Sequence, residues 1–140
     1  MREAIADAVY RAVLAFDHAD EALLLTAVTE DIWTEMPGIS AKGIQELKTT
    51  VFDRVSKLTT THFISNIRIS IESGSAATLT CSALAQHVRP GKEFEPGGNK
   101  FTSGGFYLCE VIRISDLWKI KSWKANFTWV DGDPTVMAEH

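Results

Sequence analysis

The stretch "TTTHFISNIRISI", residues 59–71, decides the fold class that the sequence predicts. Its β-branched and aromatic residues alternate with polar ones, which is typical of a β-strand. Three further strand-like runs follow it, separated by turn-forming residues: "ATLTCSALAQHV", "GGFYLCEVIRI" and "LWKIKSWKANFTWV". Apolar residues in the first half of the chain recur instead at spacings of three and four, as in amphipathic helices. Helices followed by antiparallel strands indicate an α+β domain, with the helices packed on one face of a sheet.

The first half divides into three helices and one strand. The first helix ends near "FDHAD", so Asp17 lies at its C-terminal end, and the second spans "DEALLLTAV". Before the third helix, "DIWTEM" predicts a short strand that Pro37 and Gly38 terminate. The first and third helices each present an apolar face, formed by Ile5, Val9, Ala12 and Phe16 and by Ile44, Leu47, Val51 and Val55.

Length, composition and charge narrow the class of protein. A chain of 140 residues with 45% hydrophobic and 23% charged residues predicts one soluble domain, residues 1–140. A net charge of −4 with scattered Lys and Arg gives no basic patch for nucleic acid or for a membrane surface. No apolar run approaches a membrane span or a signal peptide. We expect a cytoplasmic protein in which Cys81 and Cys109, each within an apolar strand, are buried free thiols.

Two segments have no periodic pattern. The stretch "VRPGKEFEPGGNKFTSGG", residues 88–105, contains five glycines and two prolines, which predicts a long loop. Such a loop could be a lid or functional rim, or a disordered hairpin extension. The C-terminal "PTVMAEH", residues 134–140, is expected to be a loosely held tail.

A tight turn between the first two long strands sets their register. If the glycine and serine of "ESGSA" are the central residues of a type II′ turn, counting outward pairs His62 directly with His87 on one face, with Cβ atoms ~5 Å apart. Strict alternation, however, would turn the isoleucines farther along the first strand to the opposite face from His62. A bulge near Ser65 or Asn66 would bring both halves of that strand to one face.

Two histidines and a carboxylate in one pocket can perform general acid/base catalysis. Histidine exchanges a proton near neutral pH, and a carboxylate bonded to one ring nitrogen fixes the tautomer and stabilises the imidazolium. The alternative is that each histidine is structural or lies at an exposed strand end. A metal site of two histidines and a carboxylate is a further alternative, although no compact His-x-His or His-x-Asp spacing supports it. Glu35 is a second candidate carboxylate, or a solvated strand residue.

Small residues along the strand of His87 predict a cavity between the helices and the sheet. The inward face of that strand is built from alanine and cysteine, beside bulky neighbours on the last strand such as Phe127. We expect Trp123 or Trp129 to line this cavity, and Trp118 to lie on the opposite face of the sheet.

Four stretches, in this order, resemble the SnoaL-like family of the nuclear transport factor 2-like superfamily: "FDHADEALLLTAVTEDIWTEM", "THFISN", "ALAQHV" and "LWKIKSWKANFTWVDGD". Within that family the pattern is closest to scytalone dehydratase and its fungal relatives. The resemblance implies a cone-shaped fold, in which a strongly curved antiparallel sheet wraps around the helices and encloses a pocket. It also implies a homodimer formed through the outer face of the sheet, and catalysis without a cofactor.

The resemblance implies roles for individual residues. Asp17 matches the aspartate that pairs with a histidine in scytalone dehydratase, His62 matches that histidine, and His87 matches a second pocket histidine. Phe16 and Met36 stand where that enzyme has two tyrosines that hold a water against the substrate carbonyl. Neither side chain can donate a hydrogen bond, so scytalone is not the expected substrate. The wider family, which carries out cyclisations, isomerisations, rearrangements and epoxide openings as well as dehydrations, is the better guide.

These observations together predict a cofactor-independent lyase or isomerase that acts on a small, hydrophobic, oxygenated intermediate of secondary metabolism, a polyketide, terpenoid or alkaloid. The expected catalytic residues are Asp17, His62 and His87, and Tyr107 either supplies a phenolic donor or is an ordinary strand aromatic. A non-catalytic binding or assembly module of the same fold is the alternative, and a metal-dependent oxygenase is a third possibility. The residues expected to line the substrate pocket are Phe16, Trp33, Met36, Phe52, Tyr107, Trp123, Asn126 and Trp129.

Overall fold

A computed structural model describes residues 1–138. Within these residues, the α-helices lie in the first 55 positions and six strands form one sheet, so the predicted α+β class is confirmed. In chain order the elements are α1 (Arg2–Asp17), α2 (Glu21–Ala27), β1 (Val28–Met36), β2 (Ile39–Lys42), α3 (Gly43–Leu47), a π-helical turn (Lys48–Phe52), α4 (Asp53–Val55), β3 (Thr59–Ser73), β4 (Ala76–Val88), β5 (Lys100–Ile114), β6 (Leu117–Gly132) and a 3₁₀ turn (Pro134–Met137).

Helix α1 packs against the inner face of the sheet. Its predicted apolar face is buried, from Ile5 to Phe16. The Arg11 guanidinium joins three elements, because it donates to the Thr26 carbonyl oxygen and, over 2.6 Å, to that of Trp118. These hydrogen bonds fix α1 against α2 and β6. They thereby set the position of Asp17 at the end of α1.

The sheet has the strand order β2-β1-β6-β5-β4-β3. Strands β3 to β6 pair antiparallel, as the sequence predicts, whereas β1 pairs with β6 in parallel. The prediction of a wholly antiparallel sheet is therefore wrong at β1. No hairpin joins β1 to β6, and the long chain between them allows a parallel pairing. The sequence also does not predict β2, whose four residues are too few to show an alternation.

The register between β3 and β4 differs from the predicted one. The two-residue turn is present, since Ser73 pairs with Ala76, but Gly74 does not adopt the positive φ of a type II′ turn. Two register shifts follow, one next to Ser73 and one at Asn66, where φ is 54°. As a result His62 pairs with Ala85 and His87 pairs with Thr60, so their predicted direct pairing is wrong.

The two shifts nevertheless keep both histidines on the inner face of the sheet. Each shift of one residue moves the following side chains to the other face, and two shifts restore the original alternation. The bulge predicted near Ser65 or Asn66 is confirmed. It allows Ile67 and Ile69 to pack on the core on one side of the bulge, while His62 faces inward on the other side.

The segment predicted as a loop over 88–105 is shorter than predicted. Strand β4 continues to Val88 and β5 begins at Lys100, so only residues 89–99 form the connection. The prediction is wrong for Val88 and for residues 100–105, which belong to the strands, and Gly104 and Gly105 lie within β5 and form no turn.

These two strand glycines allow close packing between β5 and β6. The ring of Trp129 occupies the space in which Gly104 would carry a side chain. Gly105 lies against the backbone carbonyl of Asn126. Glycine within a strand marks such close approaches as often as it marks a turn.

The C-terminal segment is ordered as far as the structure describes it. Residues Pro134–Met137 form a 3₁₀ turn in which Val136 is fully buried. Asp133 caps this turn and forms an ion pair with Arg89 over 3.2 Å. The prediction of a loose tail is therefore wrong for 134–138, and its last two residues, 139 and 140, lie outside the described residues.

Trp118 and both cysteines belong to the core. A register shift between β5 and β6 near Val111 changes which residues of β6 face inward, so Trp118 is buried and not on the outer face, contrary to the prediction. Cys81 and Cys109 are buried and free, as predicted. Within the described chain, no helix is both long enough and apolar enough to cross a membrane.

Candidate active site

The inner face of the sheet and the helical segment 43–55 enclose a cavity of about 180 Å³. Small side chains on the inner faces of β4 and β6, namely Ala83, Ala85 and Ala125, leave this space, as the sequence predicts for β4. The wall is mostly apolar. The described lining residues are Phe16, Met36, Pro37, Ile39, Thr50, Val51, Arg54, Val55, His62, Ala83, Ala85, His87, Phe101, Ser103, Phe106, Tyr107, Trp123, Ala125, Phe127 and Met137.

Asp17 and His62 form a hydrogen-bonded pair at the edge of this cavity. The last residue of α1 meets the start of β3, and the His62 Nδ1 lies 2.6 Å from Asp17 Oδ1. The same carboxylate accepts the His62 backbone N–H over 2.9 Å and the Thr60 hydroxyl over 2.8 Å. Since a carboxylate only accepts, Nδ1 of His62 carries the proton and Nε2 is left for the cavity.

The hydrogen bonds to Asp17 keep its carboxyl ionised. Burial alone would raise the pKa of Asp17, but the hydrogen bonds from the side chain and backbone of His62 and from Thr60 outweigh it, and the pKa is lowered. The side chains of Asp17 and His62 are 11% and 10% exposed, so both are about nine-tenths buried. The ionised carboxylate therefore polarises the imidazole of His62 in a largely water-excluded place.

His87 lies deeper in the cavity wall and has a different environment. Its Nδ1 donates to the Phe101 carbonyl oxygen over 3.0 Å, which leaves Nε2 as an acceptor. Burial lowers the pKa of His87, so its imidazole is neutral near pH 7. The centroids of the His62 and His87 rings are 6.1 Å apart, with the rings nearly perpendicular. The structure thus brings together a carboxylate-bound histidine and a neutral one.

Burial of His87 makes the free energy of unfolding depend on pH. Its folded pKa lies below the ordinary 6.5, so its contribution to stability is complete above pH 6.5 and is lost as the pH falls through the folded pKa. Between about pH 7.5 and 5.5 we expect the free energy of unfolding of the wild type to fall by up to about 1.4 kcal/mol per pH unit, because the unfolded state binds one proton more than the folded state. Urea unfolding at both pH values measures the loss. We expect His87→Gln to weaken the dependence and His18→Gln, at an exposed position, to leave it unchanged. An identical dependence in all three proteins would contradict the buried neutral histidine.

Four of the eight residues predicted to line the pocket do so: Phe16, Met36, Tyr107 and Trp123. Phe52 instead packs behind Phe16, with ring centroids 5.1 Å apart. That part of the prediction is wrong because the helical segment turns Val51 and Val55 toward the cavity and leaves Phe52 in the core.

Three predicted pocket residues lie outside the cavity. Trp33 is on the outer face of the sheet, because the neighbouring Thr34 takes the inner position. Asn126 is exposed, since Ala125 on the same strand faces inward. Trp129 is half exposed and covers Gly104, because a bulge between β5 and β6 reverses the alternation at that point.

Polar groups at the cavity include residues that the sequence does not single out. Ser103 is buried and lines the cavity on β5, two residues from Phe101. Ser103 lies in the segment that the sequence predicts as a loop. If that segment is assigned to a strand, alternation from Tyr107 places Ser103 on the cavity side. Tyr107 is buried, which raises its pKa, and its hydroxyl has no hydrogen-bond partner among the described residues. Glu35, the second candidate carboxylate, is exposed on β1 and away from the cavity.

The metal alternative requires converging ligands. Among residues 1–138 no group of three or more His, Cys, Asp or Glu side chains is placed to hold a metal ion. Asp17 directs one oxygen to the ring of His62 and the other to its backbone, and His87 directs Nδ1 to a carbonyl oxygen. The three side chains are arranged as a hydrogen-bonded pair with a separate histidine nearby.

Comparisons with known proteins place this architecture in a family. Residues 1–124 match the SnoaL-like domain. The chain is also 40% identical over 140 residues to the terrestric acid biosynthesis cluster protein E of Penicillium crustosum, covering 99% of this chain and 90% of that protein. The chain belongs to the SnoaL-like family. The family predicted from the four sequence stretches is confirmed.

Solved structures of similar fold support the cone-shaped architecture. A scytalone dehydratase-like protein from Novosphingobium aromaticivorans is 22% identical with a TM-score of 0.81, over 94% of this chain and 87% of that one. Hexachlorocyclohexane dehydrochlorinase LinA-type3 from Novosphingobium barchaimii is 18% identical with a TM-score of 0.75, over 95% of this chain and 90% of that one. At these identities the likeness establishes the fold and not the reaction, so the catalytic roles of Asp17, His62 and His87 stay predictions.

Proposed function

We propose that this SnoaL-like protein is a cofactor-independent lyase or isomerase that works by general acid/base catalysis. The observation that carries the proposal is the pair of Asp17 and His62, in which a carboxylate lies 2.6 Å from Nδ1 of a histidine whose ring lines an apolar cavity. The carboxylate fixes the tautomer and stabilises the positive charge that arises when Nε2 takes a proton. A cavity that excludes water strengthens both effects.

In a dehydration, His62 Nε2 removes the proton from the carbon next to a carbonyl group. The electrons of that C–H bond form the C=C bond, the C–O bond to the hydroxyl breaks, and the imidazolium returns its proton to the leaving oxygen as water. An isomerisation or cyclisation uses the same two proton transfers without loss of water. Nε2 of His87 is suited to accept a hydrogen bond from the substrate hydroxyl, and the Tyr107 hydroxyl to donate one to the carbonyl oxygen.

The substrate we propose is a small, hydrophobic, oxygenated intermediate of secondary metabolism, from a polyketide, terpenoid or alkaloid pathway. The mostly apolar wall and the small volume of the cavity support the first two properties. The name of the Penicillium relative assigns that protein to a biosynthesis cluster, which supports a biosynthetic intermediate as the substrate. Phe16 and Met36 in the wall cannot hydrogen-bond a carbonyl group, so Tyr107 is the candidate for that role.

Proton exchange tests catalysis without knowledge of the natural substrate. In D₂O, 2-tetralone exchanges the protons next to its carbonyl group, and NMR follows the rate. We expect the protein to accelerate this exchange over buffer. The alternative, a non-catalytic binding module, would bind the ketone, as seen by tryptophan fluorescence, without acceleration. No acceleration at a saturating ketone concentration would reject the proposed function.

We also propose a homodimer formed through the outer face of the sheet. Phe63 on β3 and Leu108 on β5 are 54% and 42% exposed there, and Trp33 lies on the same face of the sheet. Leu108→Glu is expected to convert the dimer to a monomer in analytical ultracentrifugation, because it replaces an exposed apolar side chain of that face with a charge. Leu14→Glu on α1, where the leucine is 43% exposed, is the matched control and should leave the dimer intact. A monomeric wild type, or a Leu108→Glu dimer, would refute this interface.

A cytoplasmic location is also proposed. The two buried thiols, Cys81 and Cys109, are unpaired, which suits a reducing compartment. Fluorescence microscopy of a tagged protein in the producing cell tests this location, and accumulation in the secretory pathway would contradict it.

A further inference from the structure

Among the described residues that line the cavity, Arg54 is the only lysine or arginine. It belongs to α4, directly after the π-helical turn, and π-helical turns often occur at functional sites. On the same segment Val51 and Val55 present apolar side chains to the cavity. The segment therefore brings one permanent positive charge to a wall that is otherwise mostly apolar.

The guanidinium of Arg54 has no acidic partner within residues 1–138. The guanidinium groups of other arginines form ion pairs, such as Arg11 with Asp7 and Arg113 with Asp116. The adjacent Asp53 interacts electrostatically with Lys48 and forms no ion pair with Arg54. In a chain of net charge −4, an arginine without a carboxylate at a cavity is available to a ligand.

The position of Arg54 separates it from the candidate catalytic residues. Exposed lining residues mark the mouth of the cavity, and Arg54 is exposed together with Pro37 and Phe127. His87 and Tyr107 are buried in the interior. A ligand whose reacting carbon lies at the histidines would extend its far end toward the guanidinium.

We propose that Arg54 binds a carboxylate group of the substrate, so that the natural substrate of this site is an acid. This inference rests on the proposed function, because it takes the cavity as the substrate site. The planar guanidinium presents paired N–H donors that match the two oxygens of a carboxylate. The apolar wall then holds the body of the substrate, and Arg54 fixes its orientation.

Binding of two probes of equal shape tests this inference without turnover. 2-Naphthoate carries a carboxylate, and 2-naphthamide replaces it with a neutral amide. Isothermal titration calorimetry of the wild type is expected to show naphthoate binding at least about 10-fold tighter than naphthamide. Arg54→Gln should remove the preference and leave naphthamide affinity unchanged, and Arg54→Lys should keep part of it.

Lys57→Gln is the matched control, because it removes one positive charge from the exposed turn after α4 without touching the cavity. It should keep the full preference for naphthoate. Equal affinity for the two probes in the wild type, no binding of either at millimolar concentration, or a preference that survives Arg54→Gln would each overturn the carboxylate site. Exchange of 2-tetralone, a neutral ketone, tests the proposed function separately, so active exchange with equal probe affinities would reject the Arg54 role alone.

Discussion

Asp17→Asn is expected to slow the catalysed proton exchange of 2-tetralone by at least about 10²-fold. The asparagine has no negative charge to stabilise the imidazolium of His62. Its one oxygen also replaces a carboxylate that accepts three hydrogen bonds, two of them from His62. If its NH₂ group faces Nδ1, the ring must present a lone pair there and carry its proton on Nε2, the wrong tautomer for a base.

His62→Gln should cause a loss of similar size, because it removes the group that carries the proton. The matched control is Glu35→Gln, which neutralises the other candidate carboxylate at an exposed position on β1. It should retain the wild-type rate. Circular dichroism and thermal unfolding establish that each variant is folded. An Asp17→Asn protein that is folded and exchanges at the wild-type rate would remove the carboxylate from the mechanism.

The sequence predicts the order of the elements better than their register. Apolar periodicity depends on local chain geometry, and it correctly gives the buried face of α1 and the four long strands. The register of β3 depends instead on two bulges, one of them fixed by the positive φ of Asn66. Such a backbone conformation is stabilised by the packed sheet and has no reliable local signal. His62 and His87 share a face because the two shifts compensate.

The same reason explains which pocket residues the sequence could predict. Three of the predicted lining residues lie where the period of their element is unbroken at the cavity, helical on α1 and alternating on β5 and β6: Phe16, Tyr107 and Trp123. Trp129 lies beyond a bulge of β6, and its side chain consequently faces the other way. The meeting of Asp17 with His62 involves residues 45 positions apart. Only the family resemblance indicated that contact, because no periodicity relates a helix end to a strand start.

Gly105→Ala is expected to lower the free energy of unfolding by about 3 kcal/mol or more. A Cβ at this position would overlap the Asn126 carbonyl oxygen and lie 2.9 Å from the Phe127 Cα. Both are backbone atoms, so no side-chain rotation can relieve the overlap. The two strands must separate, and Tyr107 and Phe127, which line the cavity from these strands, must move with them. We therefore expect the catalysed exchange of 2-tetralone to be lost together with stability.

Gly74→Ala is the matched control for this substitution. Gly74 lies in the turn between β3 and β4, where a Cβ would meet no atom within 4 Å and the φ angle is not positive. Its effect should stay within about 0.5 kcal/mol. Urea unfolding at neutral pH compares both variants with the wild type. A Gly105→Ala protein as stable as Gly74→Ala would mean that Gly105 is not in contact with the Asn126 carbonyl group. The close approach of the strands, and the inward position of Phe127 that depends on it, would then both be wrong.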